Sequence, residues 1–367
     1  MKLFTGKTGT AFLIAAFIIT AFARFAYTTD DPKKNKIPSQ TLTVEAESIE
    51  TANSSVKSYI LDNFPILPEK TIDKLIQNRN IEFSNQDSSK TDKTPYYKIS
   101  YLIPENYLVD TAKILWELNI PEFRSHIYQL YKQDTVFIDT WNNVVGTVKD
   151  KTYTGNFEAF RVRNWPTWKD PEPDKKDLPP TPAGPKNPLG LFCIHYDEAS
   201  LRYFHGTNKE YLLDDKYRYL SHGCVRNYND NIRKMKEFVL KRIIKSKDLT
   251  SWLDSKRTMQ FDFDKQDRFP VRIIYKTYSI YKDETGKYIE LYKDIYGYKN
   301  YHGDKFNDEN LVFLTTKENM VKEYKQKIGN DITDEKLNSL IEYAIKHCDE
   351  YEKYNIEDLL SKSENGR

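Results

Sequence analysis

Eight of the chain's sixteen prolines crowd into one stretch: Pro166, Pro171, Pro173, Pro179, Pro180, Pro182, Pro185 and Pro188. Proline fixes φ and has no amide to donate, so this stretch is neither helix interior nor central strand. It predicts a long ordered loop, and such loops in compact domains commonly bind something. Short β-branched or aromatic runs flank it, at 135–138, 144–148 and 191–194, with a clearer alternating strand at 271–278. From about Asn119 onward the texture is therefore that of strands.

The flanks read differently. Residues 28–45 are polar with two prolines and read as a tether. Ile49, Val56, Ile60 and Leu61 share a helical face, and Pro68 can open a second helix carrying Ile72, Leu75 and Ile76. Residues 81–97 read as a polar loop, and Leu108, Ala112, Leu115 and Leu118 suggest another helix. After Asn227, Asn229 or Asp230 can cap a helix buried along Ile232, Met235, Phe238, Val239 and Ile243. Beyond 306 the stripes Met320, Tyr324, Ile328 and Leu337, Leu340, Ile341, Ala344 are weak, and the tail reads as solvated helix. There is no internal repeat.

At 367 residues the chain allows two domains, or one with extensions. Its 56 basic and 54 acidic residues leave a net charge of +2, which supplies no electrostatic ground for a nucleic-acid partner. With 39% hydrophobic and 30% charged residues it can build a core. Three cysteines are too few for a disulfide scaffold or a four-thiolate zinc site, so a cysteine in a special context becomes a candidate reagent. Lys2 and Lys7 precede an uncharged, mainly apolar run over 8–23, closed by Arg24. That is the pattern of an export signal, with Ala21-Phe22-Ala23 as a cleavage site. The run is longer than a typical signal core and short of the ~20 residues of a spanning helix, so a cleaved signal and an uncleaved anchor both stand. Either places residues 28–367 outside the cytoplasmic membrane, and with no cysteine nearby a lipoprotein anchor is excluded.

The chemistry concentrates in Ser221-His222-Gly223-Cys224-Val225-Arg226, with His205-Gly206-Thr207 upstream. Thiol acyl transfer needs a thiolate, a base that makes it, and amides aimed at the developing oxyanion. Cysteine, histidine and a glycine beside the nucleophile suit these roles. Arg226 can offer a planar fork to a substrate carboxylate.

These residues resemble the signature of the YkuD-type L,D-transpeptidases of bacterial cell walls. Gly184-Pro185-Lys186-Asn187-Pro188-Leu189-Gly190 resembles the family's approach to the strand before its first histidine. Asn119-Ile120-Pro121 and Asp294-Ile295-Tyr296-Gly297-Tyr298 resemble the opening strand and closing segment of the larger, periplasmic branch. The resemblance covers roughly residues 111–300. It implies an α+β fold with a mostly-β catalytic domain over 111–300 and does not reach the flanks, where the residue patterns alone give a signal or anchor over 1–27, a tether and helical N-terminal region over 28–110, and a helical C-terminal extension over 301–367. It further implies Cys224 as nucleophile, His205 as base with its second ring nitrogen oriented by a backbone carbonyl or hydroxyl near Gly206-Thr207, and His222 as support or as the base itself. The Gly223 and Cys224 amides would form the oxyanion hole, Ser221 would hold the turn, and Arg226, Thr207 and Gly206 would contact substrate. The family commonly has Asn where this chain has Arg226, which bears on the acceptor.

The implied donor is a peptidoglycan tetrapeptide stem in the periplasm or cell envelope, cut before its terminal D-alanine and joined to an amine as a 3→3 cross-link. No metal or cofactor is implied, and nothing fixes the oligomeric state. With water or another amine the same thiol chemistry gives a carboxypeptidase or exchange enzyme; a third reading is a non-catalytic wall-binding scaffold. Elsewhere, Cys193 reads as structural and Cys348 as surface or partner packing, with a Cys193–Cys348 disulfide conceivable in an oxidising compartment. His195 reads as a packed or rim histidine. His126, His302 and His347 have no motif context. Trp165, Trp168 and Tyr203 either pack the core or line a groove for sugar or peptide.

Overall fold

The computed structural model describes residues 37–84, 96–170, 174, 177–200, 202–300 and 307–365. The apolar run at 8–23, the first part of the tether, the middle of the polar loop and His302 lie outside them.

The first elements among the described residues are β1 (Ser39–Ala46), α1 (Ile49–Asn63), α2 (Glu69–Gln77), β2 (Arg79–Ser84) and β3 (Tyr96–Pro104). Ser48 caps α1 by accepting from the Thr51 amide, and Ala52, Val56 and Ile60 are its buried stripe. The strands form an antiparallel sheet in the order β1-β3-β2. Here the structure departs from the sequence reading: the end of the tether and both ends of the polar loop are strands. Leu42, Val44 and Ala46 turn toward the core while Thr43 and Glu45 alternate between them, the period-2 pattern of a half-buried strand that the tether reading passed over.

Next come β4 (Lys113–Asn119), β5 (Arg124–Tyr131), β6 (Asp134–Asn142), β7 (Val145–Gly146), β8 (Gly155–Ala159), β9 (Arg161–Asn164), β10 (Phe192–Asp197), β11 (Arg202–His205), β12 (Tyr219–Ser221) and β13 (Val225–Arg226). The helix expected from Leu108 to Leu118 is instead a short 3₁₀ turn and β4. Ile114, Trp116 and Leu118 are completely buried at every second position, and that alternation outweighs the coincidental helical spacing. α3 (Asn229–Phe238) continues through a π-turn, Val239–Ile243, to α4 (Leu249–Leu253), β14 (Met259–Asp262), β15 (Phe269–Lys276), β16 (Tyr278–Asp283) and β17 (Gly286–Leu291). The chain closes with β18 (Val312–Phe313), α5 (Lys317–Lys327), α6 (Asp334–His347), β19 (Lys353–Asn355) and α7 (Ile356–Asn365).

The fold is α+β with a mostly-β centre. One sheet runs β18-β15-β4-β5-β6, with β8 also on β15; the other runs β13-β11-β10-β9-β14. Trp116 of β4 stacks on Phe204 of β11 at 4.0 Å, so the sheets meet across an aromatic core. The proline loop is irregular, as its composition requires. Its prolines cannot donate, and Asn187 supplies the missing donors: its Nδ2 reaches the carbonyls of Pro166, Thr181 and Pro182 at 3.0–3.2 Å.

The C-terminal helices are not solvated rods. Met320, Tyr324, Leu337, Leu340, Ile341 and Ala344 join Tyr278, Ile280, Ile289 and Leu291 in a second core, distinct from the main one. The β16–β17 hairpin, which falls within 111–300, thus shares its core with the C-terminal helices. Weak stripes suffice because a sheet face covers them.

Candidate active site

β11 and β13 run parallel, with His205 opposite Arg226 and Phe204 opposite Val225. The turn into β13 is His222-Gly223-Cys224. Gly223 sits at φ +99°, and a Cβ there would lie 2.7 Å from Arg202 Nε, so only glycine fits. Ser221 ties the turn: its hydroxyl donates to the Cys224 carbonyl at 2.6 Å and accepts from the Gly223 amide at 3.1 Å. From behind, Thr152 Oγ1 donates to the Gly223 carbonyl and accepts from Gly146 N, both at 2.9 Å. Tyr296, in the closing segment, donates to Gly146 O and accepts from Thr152 N.

Cys224 and His205 line one cavity of about 620 Å³, with Ser221, His222 and Arg226 on the same wall. Leu189 and Pro188 bring the proline loop to its rim, along with Trp168. Cys224 is half-buried, and burial raises its thiol pKa; hydrogen bonds from Tyr203, backbone and side chain, and the charges of Arg202 and Arg226 act against that rise. His205 is buried. Burial and the neighbouring Arg226 charge push its pKa down to about 3, so the imidazole is neutral at physiological pH. Nδ1 lies 2.5 Å from the Gly206 carbonyl, which can only accept; that nitrogen therefore carries the proton.

Gly206 and Thr207 do not line the cavity. Thr207 is buried, and its amide and carbonyl are both held by the Asn229 side chain, at 3.0 and 2.8 Å. Gly206 and Thr207, expected to contact substrate, stand in the structure as a mount for His205, through the Gly206 carbonyl and the Asn229-held Thr207 backbone. The Gly223 amide, expected to face an oxyanion, donates to Ser221 instead, because Ser221 Oγ sits inside the turn. His222 is solvent-exposed at the cavity wall.

Three residues contribute that motif reasoning left aside. Tyr203 lies two positions before His205 on β11, so alternation alone could have placed it on the same face. Arg202 lines the cavity with its guanidinium 4.4 Å over the Tyr153 ring, and no sequence signal announces it. Asn229, expected as a helix cap, clamps Thr207 instead. His195 is packed, as expected, 4.7 Å from Tyr203. His126 pairs with Glu122 at 3.1 Å, away from this cavity. None of the three cysteines forms a disulfide: Cys193 is buried and Cys348 packs beside the second core.

Residues 117–273 match the family model described as YkuD, the L,D-transpeptidase catalytic domain. This segment is a YkuD domain. It contains both motif histidines, Cys224 and the whole proline loop. The chain is 24% identical over 202 residues to a probable L,D-transpeptidase, ErfK/SrfK, of Salmonella typhimurium; the match covers 48% of this chain and 63% of that relative. Among solved structures it is similar to L,D-transpeptidase 3 from Mycobacterium tuberculosis (8% identity, TM-score 0.28, 56% of this chain and 87% of that one). It is likewise similar to the C442S mutant of the Enterococcus faecium L,D-transpeptidase (12% identity, TM-score 0.26, 47% and 53%). No helix among the described residues is long and apolar enough to cross a membrane.

Proposed function

We propose that the protein is an exported L,D-transpeptidase using Cys224 as nucleophile on peptidoglycan stem peptides, with residues 111–300 as its catalytic unit. The observation that carries this reading is that Cys224, in the turn into β13, and a neutral His205, at the end of the neighbouring β11, line one cavity. With Nδ1–H held by Gly206, Nε2 keeps the lone pair that takes the thiol proton. The sulfur then attacks the carbonyl carbon of the third stem residue. The bond to D-alanine breaks, and the proton passes from His205 to the departing amine. An amine of a second stem attacks the thioester, returning a proton to His205 and the thiolate to Cys224, and a 3→3 cross-link results. The Cys224 amide meets the oxyanion first, and the Gly223 amide joins it only if Ser221 Oγ releases it. Arg226 and Arg202 attract the stem carboxylates.

The test is intact-mass analysis after incubation with a purified tetrapeptide muropeptide and an amine-bearing acceptor stem. Wild type is expected to gain an acyl group lacking D-alanine and to release cross-linked dimer; Cys224→Ala and His205→Ala are expected to do neither. Labelling of the Cys224→Ala protein would defeat the nucleophile assignment. Tripeptide as the sole product, with acceptor present, would overturn cross-linking.

A further inference from the structure

The first sheet has an inner face on the main core and an outer face that α5 roofs. Along β15, Arg272, Ile274 and Lys276 alternate outward, and Arg272 stands opposite Glu117 of β4. Between this face and α5 lies a cavity of about 190 Å³ that shares no lining residue with the catalytic cavity. Its charges do not balance. Arg272, Lys276, Lys322 and Lys327 face only Glu117 and Glu323, a surplus of 4 − 2 = +2. Both carboxylates are already engaged: Glu117 by Arg272 at 3.3 Å, Glu323 by Lys276 at 2.5 Å and by Lys327 at 3.3 Å.

Two lining residues carry buried polar atoms with no hydrogen-bond partner among the described residues, Thr135 Oγ1 and Arg272 Nε. Thr135 as a whole is only 6% exposed. Both atoms can donate, and a buried donor without an acceptor is destabilising. The rest of the wall sets an apolar part, Leu115, Ile274 and Phe313 with the rings of Tyr128 and Tyr278, beside the amides of Asn319 and Gln326. The volume corresponds to roughly six waters at about 30 Å³ each. Water would satisfy the two donors but would neither neutralise the surplus charge nor suit the apolar wall.

We propose that this cavity is a binding site for a small carboxylate carrying an apolar group. The carboxylate meets the surplus cations and accepts from the orphan donors, and the apolar part lies on the aliphatic and aromatic wall. A phosphate offers the charge but nothing to that wall.

The experiment is calorimetric titration and thermal melting of the full chain with isobutyrate, benzoate and inorganic phosphate at matched ionic strength. Isobutyrate and benzoate are expected to bind saturably and raise the melting temperature, and phosphate to do neither. Thr135→Val and the exposed Lys322→Ala are each expected to weaken carboxylate binding at least tenfold, and Cys224→Ala to leave it unchanged. The absence of saturable carboxylate binding, equal binding of phosphate, or undiminished affinity in both Thr135→Val and Lys322→Ala would overturn the site. So would loss of binding in Cys224→Ala or Arg226→Ala, which would put the carboxylate in the catalytic cavity.

Discussion

The thiol of Cys224 is tuned by a residue on the neighbouring strand. Burial lifts its pKa, and the Tyr203 hydrogen bonds favour the thiolate. A hydrogen bond of about 1 kcal/mol corresponds to roughly 0.7 pH unit. Tyr203→Phe removes only the side-chain bond, so the pH dependence of iodoacetamide alkylation at Cys224 is expected to move up by about that much; an unmoved profile would remove Tyr203 from the tuning. His195 presents the opposite situation. Both its ring nitrogens are buried without hydrogen-bond partners among the described residues, beside Tyr203 and Phe160. Burial, aided by Arg163 and Arg161, lowers its pKa to about 4. The unfolded chain takes this proton near pH 6.5. The folded-state contribution is therefore present above pH 6.5 and lost as pH falls toward 4. His205 behaves likewise, down to about 3. His195→Phe keeps the ring packing and is expected to flatten the fall in melting temperature between pH 6.5 and 4 by one proton's worth.

At the scale of elements, His205, the proposed base, is held by the start of α3. Asn229 bridges to Thr207 through both amide and carbonyl, and a Cβ on Gly206 would lie 2.1 Å from its Oδ1. The loop after β11 can adopt this path only because position 206 is glycine. Asn229→Ala loses two hydrogen bonds, about 2 kcal/mol of stability. It is expected to slow acylation of Cys224 by the tetrapeptide muropeptide at least tenfold by letting His205 drift, with the alkylation pH profile of Cys224 unchanged. Asn229→Asp, which keeps the acceptor and loses the donor, should fall between. Acylation at the wild-type rate in Asn229→Ala would show that the strands alone hold the base.

The whole molecule has two cores, and its C-terminal helices complete the second. Without residues 307–365 the hairpin would expose Tyr278, Ile280, Ile289 and Leu291, an apolar face of the kind that drives aggregation. A chain ending at residue 300 is expected to bind a hydrophobic dye and melt at lower temperature, whereas an unchanged melt would show the extension to be energetically separate.

What the residues alone determined was local. The cysteine-bearing hexapeptide, the upstream histidine, the prolines that forbid regular structure and the stripes of α1, α3, α5 and α6 each declare themselves within a few positions, because spacing and residue type are short-range properties. The strands β1 to β3, with β3 between the two edges, and the strand β4 stayed hidden, since strand pairing is settled by a partner far along the chain. The same holds for the site: Cys224 and His205 are named by their motifs, but Asn229, Arg202 and the engagement of the Gly223 amide by Ser221 exist only once β7, β11 and β13 are laid side by side. Tertiary structure also decided the fate of the tail, because an amphipathic helix is solvated or buried according to whether a matching face, here the β16–β17 hairpin, comes to meet it.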